Sequence, residues 1–174
     1  SRTVSYTGMI FAGLGCPTGC DFGSTSHFFR RKHLRLLSTG ADVYEVVLRH
    51  LAVSPDAQFT ILDEEFLLNK QRALEFRDKV VAGGKPLSIF VFASMKALSL
   101  YEPSELLAMG VDGVWIGFEG ERSGYEKRVG KSPEKIFRRL HANGITVLAS
   151  MIVGFDYQTP EILDQELDHL LNLR

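Results

Sequence analysis

The chain has 174 residues, 45% apolar and 24% charged, with a formal net charge of −1. It is long enough for one domain with a sizeable core, and its near-neutral balance argues against a general binder of nucleic acid or of membrane surfaces. No apolar run reaches transmembrane length, no signal-peptide core is visible at the N-terminus, and two cysteines are too few for a disulfide scaffold, so a reducing, cytoplasmic setting is the default expectation. The sequence does not begin with Met and ends within a helical pattern, and it reads as a piece of something longer.

An apolar run at 6–11 reads as the first strand, followed by the stretch GLGCPTGCDFG at 13–23 and a basic segment at 27–37. Thr39 then caps a helix with Asp42 in its first turn and Val43, Val47, His50 and Leu51 on one face. A second strand at 58–62 leads to a helix over 66–82 stopped by Gly83 and Gly84. Pro86 precedes an apolar strand at 87–93, and Pro103 opens a short helix that Gly110 closes. The fourth strand is 113–118; Ser132 and Pro133 start a helix ended by Gly144. The fifth strand is 145–153, and Thr159, Pro160 and Glu161 start a last helix with Leu163, Leu167, Leu170 and Leu171 on one face. Five β–α units in strict alternation predict an α/β protein with a parallel sheet and right-handed crossovers. Periodicity alone does not choose between an incomplete barrel and a doubly wound sheet. Either way, ligands sit at the carboxyl ends of the strands, which directs attention to the loops at 13–23, 63–65, 94–96, 119–122 and 154–157.

The first of these loops is Gly-rich and holds Pro17, so it turns sharply with its backbone exposed. Cys16 and Cys20 are soft ligands suited to iron–sulfur clusters or zinc, yet two thiolates alone hold neither firmly, and zinc takes about four ligands. His27 could add a nitrogen, although the spacing does not demand it. On spacing alone, two partly buried free cysteines are the favoured reading. A phosphate cradle fails because Thr18 stands where a third glycine belongs and no helix follows directly. Asp63, Glu64 and Glu65 could accept hydrogen bonds from an ammonium or a ribose hydroxyl, although composition alone favours a solvated acidic turn. Trp115 is expected in the core, Glu119 is the first acid beyond the fourth strand, and Gly154 permits close approach by a flat ring or simply a tight strand exit. Arg30, Arg31, Lys32, His33 and Arg35 read as a solvated face or an interface with a further domain; a nucleic-acid contact through Phe28 and Phe29 is a minor option.

CPTGCDFG resembles the cluster loop of radical S-adenosylmethionine (SAM) proteins, C-x-x-x-C-x-x-C, in the CPxxCxFC spelling of members that carry a cobalamin-binding domain. LDEEFLLN at 62–69 is similar to their FxDExFxxN segment, with Asp63, Glu64, Glu65 and Asn69 in place. WIGFEG at 115–120 is similar to WIGxES, with Glu119 matching and Gly120 replacing Ser, and YEKRVG at 125–130 resembles the stretch that follows. The resemblance covers nearly the whole chain, as one domain over 1–174, and implies an incomplete (β/α) TIM-type barrel of about five units. A further β–α unit is then expected after Arg174, and any cobalamin domain before Ser1.

For function, the resemblance implies a [4Fe–4S] cluster on Cys16 and Cys20, and SAM held by the acidic segment at Asp63, Glu64 and Glu65, with Glu64 or Glu65 meeting its amino group. Glu119 would meet its ribose or carboxylate, and Phe22 and Gly154 would lie beside adenine. A reduced cluster then cleaves SAM to methionine and a 5′-deoxyadenosyl radical that takes hydrogen from a small-molecule substrate, with electrons from a flavodoxin or ferredoxin. The family's third cysteine falls at position 23, which is Gly23, and no other cysteine exists in the chain. Three accounts stay open: a substitute ligand such as His27, solvent or a small thiol; a non-catalytic binding or scaffold module; or a cysteine lost through a sequence change. An ordinary barrel enzyme using carboxylates as acid and base is a further rival.

Overall fold

The computed structural model describes residues 6–20, 22–64, 66–119 and 132–173. In chain order its elements begin with β1 (Thr7–Ile10), β2 (Gly13–Leu14), α1 (Ser24–Phe28), β3 (Leu34–Arg35), α2 (Gly40–Val53), β4 (Gln58–Ile61) and α3 (Lys70–Gly83). They continue with β5 (Ile89–Ala93), α4 (Met95–Leu98), α5 (Pro103–Ala108), β6 (Val111–Gly117), α6 (Pro133–His141), β7 (Thr146–Ser150) and α7 (Pro160–Leu171).

β1, β4, β5, β6 and β7 form one parallel sheet in that order. The order is the chain order, so every crossover steps to the same side and the sheet has no point where direction reverses. A doubly wound sheet needs such a point. The architecture is therefore an open, incomplete barrel. The register aligns Ile10 with Ile61, Ile61 with Val91 and Val91 with Val114, and all four are buried. Side chains alternate faces along a strand, so this row packs beneath the helices with Val43, Val47, Phe76 and Ile136, all in the same buried core. Each such aliphatic side chain contributes about 1.5–3 kcal/mol by leaving water.

The helix boundaries follow local chemistry. Thr39 and Asp42 form a reciprocal capping box at α2: Thr39 Oγ1 accepts from the Asp42 N–H at 3.0 Å, and Asp42 Oδ2 accepts from the Thr39 N–H at 2.9 Å. These bonds hold the Asp42 carboxyl below its ordinary range. α3 begins at Lys70 and not at 66, because Asn69 Oδ1 accepts from the Arg72 N–H and starts the helix there. Phe66 and Leu67 instead bury their side chains from a turn. In α7, Leu167 and Leu171 are exposed and Glu166 is buried. The carboxylate accepts from Tyr157 Oη at 3.2 Å and Gln158 Nε2 at 3.0 Å, which offsets its burial. No helix among the described residues is long and apolar enough to cross a membrane.

Candidate functional site

β1 runs into the cysteine loop, which is fastened at both ends. At its start, β2 pairs antiparallel with β3, and the Leu36 and Leu37 N–H groups both donate to the Ala12 carbonyl. At its end, Ser26 stitches the loop closed: its Oγ accepts from the Gly19 N–H and donates to the Cys16 carbonyl, each at 2.9 Å. Gly15 and Gly19 take φ of +93° and +76°, a region that only glycine enters freely. A short helix, α1, does follow the loop, contrary to the expectation from sequence, but it is only five residues long.

Beneath the loop, Asp63 is the centre of a buried network. Its Oδ2 accepts from Arg72 Nη2 at 2.5 Å, and its Oδ1 shares a hydrogen bond with His33 Nε2 at 2.9 Å. Arg72 also donates to the Leu37 carbonyl at 3.1 Å. His33, counted with the solvated basic face from sequence, is thus half-buried and fixed. Gly13 lies flat against the pair: a Cβ there would come within 2.4 Å of His33 Nε2 and 2.7 Å of Asp63 Oδ2.

At the carboxyl ends of the strands lies a cavity of about 310 Å³, at the lower end of ordinary ligand sites. It is lined by Cys16, Cys20, Phe22, Gly23, Glu64 and Glu119 of the sequence-derived set, and by Ser94, Trp115 and Ser150. Four of the five expected loops or strand ends therefore contribute to one space. Both cysteines are free thiols, Cys20 buried and Cys16 partly so. Burial pushes the Cys16 thiol up from its ordinary value; the hydrogen bond to Thr18, at 3.3 Å, opposes this, and the neighbouring Glu64 carboxylate adds to it. Glu119 is buried with φ of +60°. That conformation costs a non-glycine residue about 1–2 kcal/mol, and such outliers collect at ligand sites.

Two members of the sequence-derived set are placed elsewhere. Asp63 faces the helices and its carboxylate is bonded to Arg72 and His33. Gly154 does not line the cavity; its N–H donates to Gln158 Oε1 at 2.7 Å. Its neighbour Phe155 does reach the cysteine loop, meeting Phe22 edge-on at 5.7 Å. Glu65, Gly120 and the stretch 125–130 lie outside the described residues. Trp115, expected in the core, is instead 38% exposed. Strand alternation puts it on the open face, stacked on Phe92 at 5.4 Å, with Nε1 donating to Ser150 Oγ at 3.0 Å. The period-2 pattern of β6, with Val114 and Ile116 inward, carried that signal. Ser150 was hidden inside an apolar run.

Thiols, carboxylates and aromatic rings on one lining suit three chemistries: a soft metal, a cationic head group and a flat ring. The soft donors on the wall are the free thiols of Cys16 and Cys20. Among the described residues, no group of three or more His, Cys, Asp or Glu side chains is arranged to hold a metal ion, and His27 is exposed and off the cavity wall. Gly23 lies on the same wall. Gly23 has φ −81° and ψ 95°, a conformation open to any residue. A Cβ there would lie 3.5 Å from Cys20 Cβ, 3.6 Å from Ser26 Cβ and 3.2 Å from the Cys20 carbonyl oxygen. Among the described residues, the loop thus offers two soft donors to the cavity, the Cys16 and Cys20 thiols.

No protein-family model matches the sequence. It is 27% identical over 161 residues to the anaerobic magnesium-protoporphyrin IX monomethyl ester cyclase of Cereibacter sphaeroides, covering 87% of this chain and 26% of the cyclase. It is 24% identical over 160 residues to the enzyme of the same name from Rubrivivax gelatinosus, covering 87% and 28%. The chain therefore spans about a quarter of the length of these curated relatives. Among solved structures, it is similar to the radical S-adenosylmethionine methyltransferase TsrM from Kitasatospora setae. With tryptophan substrate and the SAM analogue aza-SAM bound, TsrM gives a TM-score of 0.75 at 19% identity over 97% of this chain and 34% of that one. With cobalamin and a [4Fe–4S] cluster bound, the values are 0.74, 20%, 96% and 32%. At that identity the likeness is one of fold: the chain is built as the open partial α/β barrel found in a radical SAM methyltransferase.

Proposed function

We propose that this chain is the core of a radical SAM enzyme, holding a [4Fe–4S] cluster on the loop of Cys16 and Cys20 and binding SAM in the adjoining cavity. One observation carries the reading: Cys16, Cys20, Phe22, Glu64 and Glu119, singled out on separate segments, line one cavity at the strand ends. The fold shared with TsrM, whose structures hold a cluster, cobalamin and a SAM analogue, supports it.

When bound, the cluster and SAM supply reductive cleavage of the sulfonium to methionine and a 5′-deoxyadenosyl radical, which takes a hydrogen atom from a small-molecule substrate. The chain's own part is holding and orienting. Cys16 and Cys20 bind as thiolates and give their protons to solvent, so binding strengthens with pH. Glu64, beside Cys16, accepts the ammonium of SAM; Glu119, just past β6, accepts a ribose or carboxyl-adjacent donor. Phe22, braced by Phe155, closes on the adenine side. Electrons come from a flavodoxin- or ferredoxin-type partner, and any cobalamin would be carried by a separate domain.

The test is anaerobic reconstitution followed by equilibrium binding of SAM to the protein and to Glu64→Gln and Glu119→Gln. Iron and sulfide uptake with SAM binding that both variants weaken supports the reading. Iron-free protein that binds no SAM would leave the silent binding-module reading in its place.

A further inference from the structure

We propose that the open face of the sheet selects a substrate with a flat, conjugated, multi-ring body, and that Trp115 is the residue that reads its flatness; this rests on the reading that SAM takes the adjoining cavity. The register lays one apolar row across all five strands. It pairs Phe92 with Trp115 and Trp115 with Leu148. Phe11 and Leu62, each one residue past the aligned Ile10 and Ile61, continue it. Two residues beyond Leu62, Phe92, Trp115 and Leu148 stand Glu64, Ser94, Gly117 and Ser150, all on the cavity wall. Phe92 and Trp115 line the cavity as well, so the row begins inside it, and Phe11 and Leu148 carry it out to either side. Neighbouring strands lie about 4.8 Å apart, so four steps make the row roughly 19 Å long, more than one small ring covers.

The row is rich in aromatic rings, where the layers that fill a barrel interior are dominated by branched aliphatic side chains. Phe92 and Trp115 stack at 5.4 Å, and the indole Nε1–H donates to Ser150 Oγ at 3.0 Å. That bond satisfies the one donor of the indole and leaves its ring part-exposed. Two residues back on β5, the Phe90 ring lies over Gly113, where a Cβ would come within 2.6 Å of it. A side chain at 113 would displace that ring. Phe11, Trp115 and Leu148 are exposed, so the layer does not fill its own interior. A puckered aliphatic body gains there only the transfer of its surface from water. A conjugated plane gains the same and adds offset or edge-on contacts with rings already in place, while its polar edge meets the rim of Glu64, Ser94 and Ser150.

Trp115 is the only tryptophan of the chain, so its fluorescence reports on this wall without any cofactor. The experiment titrates the chain with 2-naphthol and with decahydro-2-naphthol, which share a carbon skeleton and a hydroxyl and differ in flatness. Calorimetry gives the affinities, and Trp115 emission is followed alongside. 2-Naphthol should bind about 3- to 10-fold more tightly, the worth of an aromatic contact beyond its area, and should quench Trp115. Trp115→Leu should remove that preference. Leu148→Lys, at an exposed position that leaves the reporter in place, should weaken 2-naphthol too, which keeps the test decisive if Trp115→Leu does not fold. Equal affinities for the flat and the puckered alcohol overturn the proposal, and so does 2-naphthol binding that leaves Trp115 emission unchanged. A dimeric chain with Trp115 shielded from acrylamide overturns it as well, because a second copy then covers the face. Equilibrium dialysis of SAM on the same samples separates the two readings. SAM binding without a preference for the flat alcohol overturns the substrate class alone; a flat preference without SAM binding overturns the SAM reading and leaves a site for flat rings.

Discussion

Along the helix-packed face of the sheet, Ile10, Ile61, Val91 and Val114 are shut away from solvent, while Met9, Phe11, Trp115 and Leu148 on the other face keep 60, 53, 38 and 47% of their surface. Met9 and Phe11 flank Ile10, and Trp115 follows Val114, so apolar neighbours in sequence go to opposite faces. At the strand end the contrast continues in two adjacent acids. Asp63 turns toward the helices and is locked between Arg72 and His33; Glu64 turns toward the cavity. The covered face supports the fold, and the open face and its upper rim are left for something to bind. Substitutions should separate accordingly, with stability lost on one face and ligand binding on the other.

The largest effect is expected at Asp63→Ala. It leaves the Arg72 guanidinium buried without its carboxylate, and breaking a buried pair in this way costs about 3–5 kcal/mol. It also frees His33 and with it the β2–β3 arm that carries the cysteine loop. Urea unfolding should show the loss. A change under about 1 kcal/mol would mean that the network is not what holds the arm.

Next comes the pair Ile61→Ala and Met9→Ala. The first opens a cavity in the buried row and should cost about 2–5 kcal/mol. The second trims a side chain already 60% exposed and should stay within about 0.5 kcal/mol. Equal losses would show that the open face is covered in solution. On the covered side, the Tyr101 hydroxyl donates to the Leu67 carbonyl at 2.6 Å, and burial, then the nearby Glu105, pushes its pKa from 10.0 up to about 12. A folded pKa above the unfolded one means that the contribution is intact below pH 10.0 and is lost as pH rises toward about 12. Alkaline melts of the wild-type chain should show that decline, and Tyr101→Phe should flatten it.

Much of this architecture could be read beforehand, because strands buried on one face and helices with explicit stops carry their own signals. Thr39, Pro103 and Pro160 mark helix starts that the structure keeps. Long-range pairing could not be read in this way. Nothing in the basic run at 27–37 marks His33 as the partner of a carboxylate thirty residues on, and nothing around Glu166 announces that Tyr157 and Gln158 would satisfy it. The strand order that makes the sheet an open barrel is likewise a property of how the units stack. The site was legible as a set of strand ends. Which acid of the DEE run points where depends on the alternation carrying on two and three residues past the end of β4 at Ile61, and this sends Asp63 and Glu64 to opposite sides.

Glu64→Gln is the finest test of that alternation, because it changes charge without shape one residue from the most sensitive position. Glu64 is exposed, so its stability change should stay within about 0.5 kcal/mol, against several for Asp63→Ala. SAM affinity should nevertheless fall by about tenfold or more, the worth of a hydrogen bond to a charged group, measured by equilibrium dialysis. A third readout needs no cofactor. Glu64 is one of the groups that raise the Cys16 pKa, although burial is the larger cause. Removing its charge lowers that pKa modestly, so the thiolate fraction at fixed pH rises and alkylation of Cys16 by iodoacetamide quickens. Faster alkylation with unchanged SAM affinity would keep Glu64 beside Cys16 and remove it from the SAM site. Unchanged alkylation would overturn the placement itself, and with it the claim that the two acids face opposite ways.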